Sequence, residues 1–347
     1  MSRKVRIGIT RDLFDQEGRF IMPCPGPKLL EGMPNVEYEV FADFSKEVTP
    51  EQIKGFDMVI SFTPKWTQQS LVRNHQLLAV LREGVGYDMI DVSALTNAGV
   101  LLCITPGGVR RPMATAIITL VLALSLRLLD KVKLVRDGRW TEKAKYHGMG
   151  LVGKTLGSIG IGNIGHEMFM LAKPFGMRHI AYDPYITQEA VADVDVKLVD
   201  MDTVLAEADF LNISCPLNEK NRHLVGEKEL RKMKKTAFLV NTARGAIVDE
   251  RALIKALKEK RIQGAGLDVF EEEPVSPDNP LVKMDNVIAT PHSLGWTDQN
   301  FAGEWASIIK QISQIIRGEI PESPANPEAW GKPAFQSKLK KFLAAIK

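Results

Sequence analysis

The chain has 347 residues, of which 45% are hydrophobic and 25% charged, and 45 basic against 42 acidic residues give a formal net charge of +3. This is the composition of an ordinary globular chain with room for two domains, and so small a net charge does not predict a nucleic-acid partner. Three scattered cysteines, Cys24, Cys103 and Cys215, are too few for a disulfide framework or a zinc site and favour a reducing compartment, the cytoplasm.

The first third of the chain alternates between short apolar runs and polar or helix-forming stretches. MSRKVRIGIT enters a strand-like run directly, without the apolar core or cleavage site of a signal peptide. The runs VRIGIT, DMVISF, LLAVL and VLLCIT predict a parallel sheet with helices on both faces. Residues 113–129 are the most apolar segment, but Arg127 interrupts it short of the roughly 18 to 20 residues of a membrane span. We therefore expect a helix buried between domains or subunits, and no membrane partner.

The alternation starts again after Gly153 with LGSIGIG, HIAYD, DFLNIS, AFLVNT, GAGLDV and NVIAT, which predicts a second α/β unit. The final stretch, GKPAFQSKLKKFLAAIK, predicts a basic amphipathic helix, and a solvated terminal helix is its simplest interpretation.

Three glycines in the second unit, Gly160, Gly162 and Gly165, end a strand-like run and open a helix-like one. The first permits a tight turn, the second lets a phosphate approach the backbone, and the third allows close packing of helix on strand. Asp183 stands 18 residues after Gly165, close to the spacing of the acid that bonds the ribose 2′-hydroxyl. The pattern predicts a dinucleotide site that prefers NAD to NADP, with a glycine-rich turn and a surface aspartate as the structural alternative.

Three further residues lie at or just beyond predicted strand ends, where open α/β sheets place ligands: Arg244, Glu273 and His292. Reduction of a 2-oxo acid needs a cation to hold the carboxylate and polarise the carbonyl, and an acid to protonate the new alkoxide. Arginine suits the first role because its planar fork pairs with a carboxylate. His292 suits the second role, and a carboxylate such as Glu273 would hold the imidazole and favour its protonated form.

Four blocks in this order resemble the D-isomer-specific 2-hydroxyacid dehydrogenase family: LVGKTLGSIGIGNIGHEM, FLNISCPLNEKNRHLVGEKELRKMKKTAFLVNTARGAIVDERALIKAL, GAGLDVFEEEP and ATPHSLGWT. The similarity runs from about residue 5 to about residue 326. It implies that Arg244, Glu273 and His292 are the catalytic arginine, glutamate and histidine of the family.

The resemblance also implies which residues hold the cofactor and the substrate. Asp268 stands where the family bonds the nicotinamide carboxamide, and REGVGYDMID resembles the loop whose backbone N–H groups hold the substrate carboxylate. The predicted cofactor-binding residues are Gly160, Gly162, Asn163, Ile164, Gly165, Asp183, Cys215, Pro216, Thr242, Ala243 and Asp268. The predicted substrate-binding residues are Gly84, Val85, Gly86, Arg244, His292 and Arg111, while Phe62 and Thr63 match a facing loop less specifically. No metal site is predicted.

The fold class implied is α/β, with two Rossmann-like or flavodoxin-like parallel-sheet domains and the cofactor domain inserted into the substrate domain. Residues 1–107 and 295–330 are predicted to form the substrate domain, residues 108–294 the NAD-binding Rossmann domain, and residues 331–347 a C-terminal tail. The insertion accounts for a glycine loop near the middle of the chain.

Some residues depart from the family pattern. Ser214 replaces a frequent histidine, and Thr115 a frequent glutamate. Arg110 and Arg111 stand at the predicted domain crossing, where they could hold a second anionic group of the substrate or serve a structural role. Trp296 could wall the substrate pocket or pack between domains.

The sequence therefore predicts an NAD-dependent D-2-hydroxyacid dehydrogenase, acting in the cytoplasm as a homodimer on a small 2-hydroxy or 2-oxo acid. A sugar acid, a dicarboxylic acid or a phosphorylated acid would use the additional arginines. Two alternatives remain: a non-enzymatic NAD(H)-sensing protein of the same fold, and a phosphite-type dehydrogenase with the same three catalytic residues. A formate dehydrogenase is disfavoured because that branch has glutamine where this chain has Glu273.

Overall fold

The computed structural model describes residues 3–72, 74 and 76–347. The chain divides into two compact units. Unit 1 consists of Met1–Val109 and Trp296–Lys347, and unit 2 consists of Arg110–Gly295.

Twelve strands are formed by the described residues: β1 Val5–Ile9, β2 Val36–Val40, β3 Met58–Ser61, β4 Ala79–Arg82, β5 Leu101–Cys103, β6 Thr155–Ile159, β7 Arg178–Tyr182, β8 Val196–Leu198, β9 Phe210–Ile213, β10 Phe238–Asn241, β11 Gly264–Leu267 and β12 Val287–Ala289.

Ten α-helices accompany them in the described ranges: α1 Lys28–Glu31, α2 Val92–Asn97, α3 Pro106–Ser125, α4 Leu128–Arg136, α5 Asn163–Ala172, α6 Met201–Glu207, α7 Glu227–Lys232, α8 Glu250–Lys258, α9 Asp298–Ile316 and α10 Pro333–Ile346.

The sheet of unit 1 has five parallel strands in the order β2-β1-β3-β4-β5. This is the flavodoxin-like order, in which the strand sequence reverses between β1 and β3. Every residue of β3 and β4 is buried, as expected for strands covered on both faces. Ala79 and Leu81 join one apolar cluster while Val80 joins the other, because successive side chains of a strand point to opposite faces.

The sheet of unit 2 has seven parallel strands in the order β12-β11-β10-β9-β6-β7-β8. This is the Rossmann order with one strand added, and the direction of winding reverses between β6 and β9. Ligands of open α/β sheets bind at the carboxyl ends of the strands beside such a reversal. The two parallel sheets confirm the predicted fold class.

Helix α3 is the one helix among the described residues that is long and apolar enough to cross a membrane by length and composition. Half of its most apolar window is buried inside the structure. Ile117, Leu120 and Val121 pack into the core of unit 2, which accounts for its composition.

The C-terminal segment differs from its predicted role as a separate tail. Helix α10 buries Phe335, Leu339 and Phe342 in the same apolar cluster as strands β1 and β4. Lys338 donates hydrogen bonds to the carbonyls of Leu77 and Ala98. Residues 331–347 therefore belong to unit 1 and help to complete its core.

Candidate active site

The glycine loop joins the end of β6 to the start of α5 in unit 2. Gly160 has a φ of +88°, and a Cβ at this position would lie 2.8 Å from the backbone nitrogen of Cys215, so a side chain is excluded. Gly162 is the N-cap of α5 and, as a glycine, offers no side chain to cap the helix. A Cβ on Gly162 would meet nothing within 4 Å. The helix N-terminus thus presents open backbone, the geometry that receives a phosphate.

Asp183 follows β7 and accepts a hydrogen bond from this loop. Its Oδ2 accepts the N–H of Ile161 at 3.0 Å, and its Oδ1 accepts the N–H of Tyr185 at 2.9 Å. Each oxygen keeps a further lone pair for a ribose hydroxyl. The glycine loop and Asp183, predicted as parts of one dinucleotide site, lie together in the structure, and their geometry fits NAD.

A polar network that the sequence analysis missed lies beneath the loop. Ser158 in β6 donates to the carbonyl of Gly160 at 2.6 Å, while Asn212 in β9 donates to Ser158 Oγ at 3.3 Å and to Ser214 Oγ at 2.6 Å. Ser158 and Asn212 are fully buried. Asn212 therefore links Ser214, noted in the sequence only as a departure from the family, to Ser158 and so to the loop after β6.

The predicted acid–base pair is formed within unit 2. His292 Nδ1 lies 2.7 Å from Glu273 Oε2, and Glu273 Oε1 accepts the N–H of Phe270 at 2.9 Å. Burial raises the pKa of Glu273, but the hydrogen bonds from His292 and Phe270 and the charge of Arg244 outweigh it, so the pKa lies below its ordinary value. Glu273 is therefore an anion at neutral pH, which assigns a proton to Nδ1 and leaves Nε2 on the side of the ring away from Glu273.

The loop that carries His292 is held from below by Asp268. This buried carboxylate accepts hydrogen bonds from Thr290 Oγ1 at 2.6 Å, from Ser293 N at 3.1 Å and from Leu294 N at 3.2 Å. His292 itself has a φ of +53°, an uncommon backbone conformation for a residue with a side chain. Asp268 thus fixes the position of the imidazole, a role that the sequence analysis did not predict.

Arg244 follows β10 in a tight turn. Buried Asn241 shapes the turn, because its side chain donates to Arg244 O at 2.9 Å and accepts from Ala243 N at 3.0 Å. The next residue, Gly245, approaches so closely that a Cβ there would lie 1.9 Å from the carbonyl carbon of Phe270. The Arg244 turn is thereby packed against the segment that carries Glu273.

The remaining predicted cofactor residues of unit 2 lie at the carboxyl edge of its sheet. Asn163 and Ile164 begin α5. Cys215 and Pro216 follow β9, and Thr242 and Ala243 follow β10. Among the described residues, no group of three or more histidine, cysteine or acidic side chains is placed to hold a metal ion.

The predicted substrate loop follows β4 in unit 1. Gly84 has a φ of +120°, and its N–H donates to Thr105 Oγ1 at 2.7 Å. The N–H of Gly84 is therefore already engaged within unit 1, and a contact of Gly84 with substrate stays a prediction. The N–H groups of Val85 and Gly86 donate to no group in the described part of the chain. These two adjacent donors are suited to a carboxylate.

An aromatic group lies beside this loop in unit 1. The Arg82 guanidinium donates from Nε to the carbonyl of Gly86 at 2.9 Å and lies 5.4 Å from the ring centre of Phe62. Phe62 in turn contacts Trp296, with ring centres 6.1 Å apart. Thr63 donates both its N–H and its hydroxyl to Asp12 Oδ2, so its side chain is already engaged.

Arg110 and Arg111 both pair with Glu167 of α5. The distances are 2.7 Å from Arg110 Nε and 2.5 Å from Arg111 Nη1 to the Glu167 carboxylate. The hydrogen bond from Arg111, together with the charge of Arg110, lowers the pKa of Glu167 despite its burial. Both arginines thus share one ion-pair partner within unit 2, while a contact of Arg111 with substrate stays a prediction. Thr115 bonds within α3, to Arg111 O.

Comparisons with known proteins agree with this geometry. Residues 118–293 match the family model described as D-isomer specific 2-hydroxyacid dehydrogenase, NAD binding domain. A glyoxylate reductase of Korarchaeum cryptofilum is 38% identical over 290 residues, which cover 82% of this chain and 87% of that protein. A D-3-phosphoglycerate dehydrogenase of Methanocaldococcus jannaschii is 39% identical over 292 residues, which cover 84% of this chain but 55% of that longer protein.

Among solved structures, that of a glyoxylate reductase from Paecilomyes thermophila matches with a TM-score of 0.79 and 26% identity, covering 93% of this chain and 98% of that one. These findings confirm the predicted oxidoreductase class and NAD as the cofactor. The chain belongs to the D-isomer-specific 2-hydroxyacid dehydrogenase family of NAD-binding oxidoreductases.

Proposed function

We propose that this protein reduces a short 2-oxo acid to the D-2-hydroxy acid with NADH, and catalyses the reverse reaction with NAD. The observation that carries the proposal is the 2.7 Å hydrogen bond between His292 and Glu273 at the sheet edge that also bears the glycine loop. When bound, the nicotinamide supplies or accepts the hydride.

His292 transfers the proton in this proposal. In its charged form the imidazole gives the Nε2 proton to the alkoxide oxygen that forms at C2, and in the reverse direction neutral Nε2 takes it back. Glu273 holds Nδ1 and stabilises the positive charge on the ring. Asp268 limits the movement of the His292 loop, so that the ring is oriented before substrate binds.

Arg244 holds the substrate in this proposal. A guanidinium fork pairs with a carboxylate through two hydrogen bonds and can also polarise the neighbouring carbonyl. In unit 1, the N–H groups of Val85 and Gly86 offer two further donors of the kind a carboxylate accepts. Asp183, Gly160 and Gly162 would hold the cofactor through its ribose and pyrophosphate.

A short substrate is supported by two observations. Glu167 offsets one of the two positive charges of Arg110 and Arg111, so part of the charge of this pair is already engaged by a side chain of unit 2. In addition, Phe62, which follows β3, packs its ring against Trp296, which precedes α9, so unit 1 has an apolar aromatic pair there. Relatives of this chain are named glyoxylate reductases, and we therefore propose glyoxylate as the type of substrate.

The proposal is tested by initial rates with NADH and a panel of 2-oxo acids: glyoxylate, a sugar acid, a dicarboxylic acid and a phosphorylated acid. We expect the highest kcat/KM for glyoxylate, and the ratio of glyoxylate to the other acids should not change in Arg111→Ala. A preference for a phosphorylated acid that falls about tenfold in Arg111→Ala, roughly 1.4 kcal/mol, would restore the second-anion hypothesis. NADH binding without turnover of any acid would favour the NAD-sensing alternative.

The homodimer and the cytoplasmic location belong to the same proposal. The segment around α4 exposes the apolar side chains Leu126, Leu128, Leu129, Val135 and Trp140, and exposed apolar side chains of this number in one segment favour a protein interface. All three cysteines are free thiols, which supports a reducing compartment. Light scattering should give twice the chain mass of 38.5 kDa, and Leu129→Asp should reduce it.

A further inference from the structure

Two buried glutamates in unit 1 lie beside the predicted substrate loop and have no part in the chemistry above. Glu83 follows β4 directly and precedes Gly84, and Glu304 lies in α9. Their residues are 0% and 3% exposed. A buried carboxylate without a compensating partner is costly, so the hydrogen-bond partners of these two groups matter.

One oxygen of Glu83 is satisfied. Its Oε1 accepts the indole N–H of Trp305 at 3.0 Å, a contact that joins the start of the loop to α9. By contrast, Oε2 of Glu83 and Oε2 of Glu304 are both buried, with no hydrogen-bond partner among the residues that the structure describes. Glu304 directly precedes Trp305 in α9, so the two oxygens lie in one region, and within the described part of the chain each lacks a donor that would offset a negative charge. A protonated carboxyl is neutral and avoids the repulsion between two carboxylates.

The charges around Glu83 and Glu304 also favour a retained proton. Arg82 contributes one positive charge, whereas Asp12 and the Cys24 thiol also face this region. Burial, followed by the charge of Glu304, raises the pKa of Glu83 to about 8. Burial likewise raises the pKa of Glu304, against the opposing effect of Arg82. Arg82 supplies one positive charge to a region with three carboxyl groups, Asp12, Glu83 and Glu304, so it does not offset all of them and the glutamate pair keeps a proton.

The pair is coupled to the loop by short contacts. Glu83 N donates to Ser61 O at 3.0 Å, Gly84 N donates to Thr105 Oγ1, and Arg82 Nε donates to Gly86 O. The same Arg82 is the positive charge that faces both glutamates. A second negative charge on the pair would therefore change the electrostatic environment of Arg82, which holds Gly86. It would also affect the hydrogen bond between Glu83 and Trp305.

We propose that Glu83 and Glu304 share one proton, and that this proton keeps residues 84–86 in the conformation that receives the substrate carboxylate. Glu83 and Glu304 are positioning residues in this account, since neither is assigned a contact with substrate. The effect on substrate binding rests on the proposed function of this loop, whereas the shared proton does not.

The shared proton is tested without substrate, by urea unfolding as a function of pH. The native state keeps a proton that the unfolded chain loses near the ordinary pKa of 4.5. Wild-type stability should therefore decline as the pH rises from about 4.5 to about 8, and Glu304→Gln should show a flatter decline and greater stability at the alkaline end. The exposed Glu51→Gln is the matched control and should follow the wild type. If Glu304→Gln does not fold, Glu83→Gln serves, because its amide oxygen can still accept from Trp305.

The loop is tested by the pH dependence of KM for glyoxylate, with kcat measured alongside. If ionisation of the pair disables the loop, KM should rise about tenfold in wild type for one pH unit above 8, and it should rise far less in Glu304→Gln. A wild-type decline in stability that persists in both glutamine variants overturns the shared proton. A decline that vanishes in them while wild-type KM stays level overturns the link to the loop. Absence of turnover at every pH contradicts the proposed function and leaves the unfolding result to decide the shared proton.

Discussion

Replacing Gly162 by alanine separates binding of the dinucleotide from stability of the fold. The residue has φ −67° and ψ −166° at the N-cap of α5, a conformation open to alanine, and the new methyl group would meet no atom within 4 Å. The weaker capping by alanine and the lower entropy of its unfolded chain offset one another, so the free energy of unfolding should change by less than about 1 kcal/mol.

Binding of NADH should respond much more strongly. If the methyl group keeps the pyrophosphate from one backbone N–H, a charge-assisted hydrogen bond of about 1.5 to 3 kcal/mol is lost. This corresponds to a rise in Kd of about 10- to 150-fold. Isothermal titration calorimetry measures the change directly, without turnover.

Two other glycines give the controls. Gly150→Ala also places a methyl group in open space, but outside the loop, and should leave both Kd and stability near the wild-type values. Gly160→Ala should destabilise the fold as well, because of its φ of +88° and the 2.8 Å contact with Cys215. If Gly162→Ala binds NADH as tightly as Gly150→Ala does, the pyrophosphate does not lie at the N-terminus of α5 and the cofactor assignment is wrong.

Three further substitutions test individual side chains. Asp183→Asn removes the charge that would repel a 2′-phosphate. In binding titrations, the preference for NADH over NADPH should therefore fall by about tenfold, roughly 1.4 kcal/mol. An unchanged preference would contradict the role of Asp183. His292→Asn should lower kcat by a factor of about 10² to 10⁴ and leave the Kd for NADH near the wild-type value. Rapid-mixing kinetics measure kcat, and intact turnover would mean that another residue is the acid. Asn212→Ala removes the donor that links Ser214 to Ser158, so both the Tm and the affinity for NADH should decrease; calorimetry measures both, and a lower Tm with unchanged affinity would limit the network to stability.

The sequence predicted the fold and the cofactor loop because both depend on local patterns. Apolar runs at strand spacing predicted two parallel sheets, and both are present. The glycine rhythm and the distance to Asp183 lie within one β-α-β segment, so a single stretch of chain contains most of the information. His292 and Glu273 were predicted as a pair and do form a hydrogen bond.

Contacts between distant parts of the chain could not be predicted in the same way. Glu83 and Trp305 are separated by 222 positions, and nothing near either residue identifies its partner. Asp268 was assigned to the cofactor by its motif, but its bonds to the His292 loop depend on how β11 and β12 pair. The charge of Arg111 was evident in the sequence, whereas its ion pair with Glu167 appears only when α3 packs against α5.

The division of unit 1 between the two ends of the chain affects its synthesis. Its first sheet packs against Phe301, Trp305 and Phe335, which leave the ribosome only after all of Arg110–Gly295 has been made. At typical translation rates this takes about 10 to 40 s. Unit 2 contains its whole core and can fold during that time, whereas one apolar face of the unit 1 sheet stays exposed to solvent. Strands β1 to β5 are therefore exposed to aggregation for longer during synthesis than the strands of unit 2.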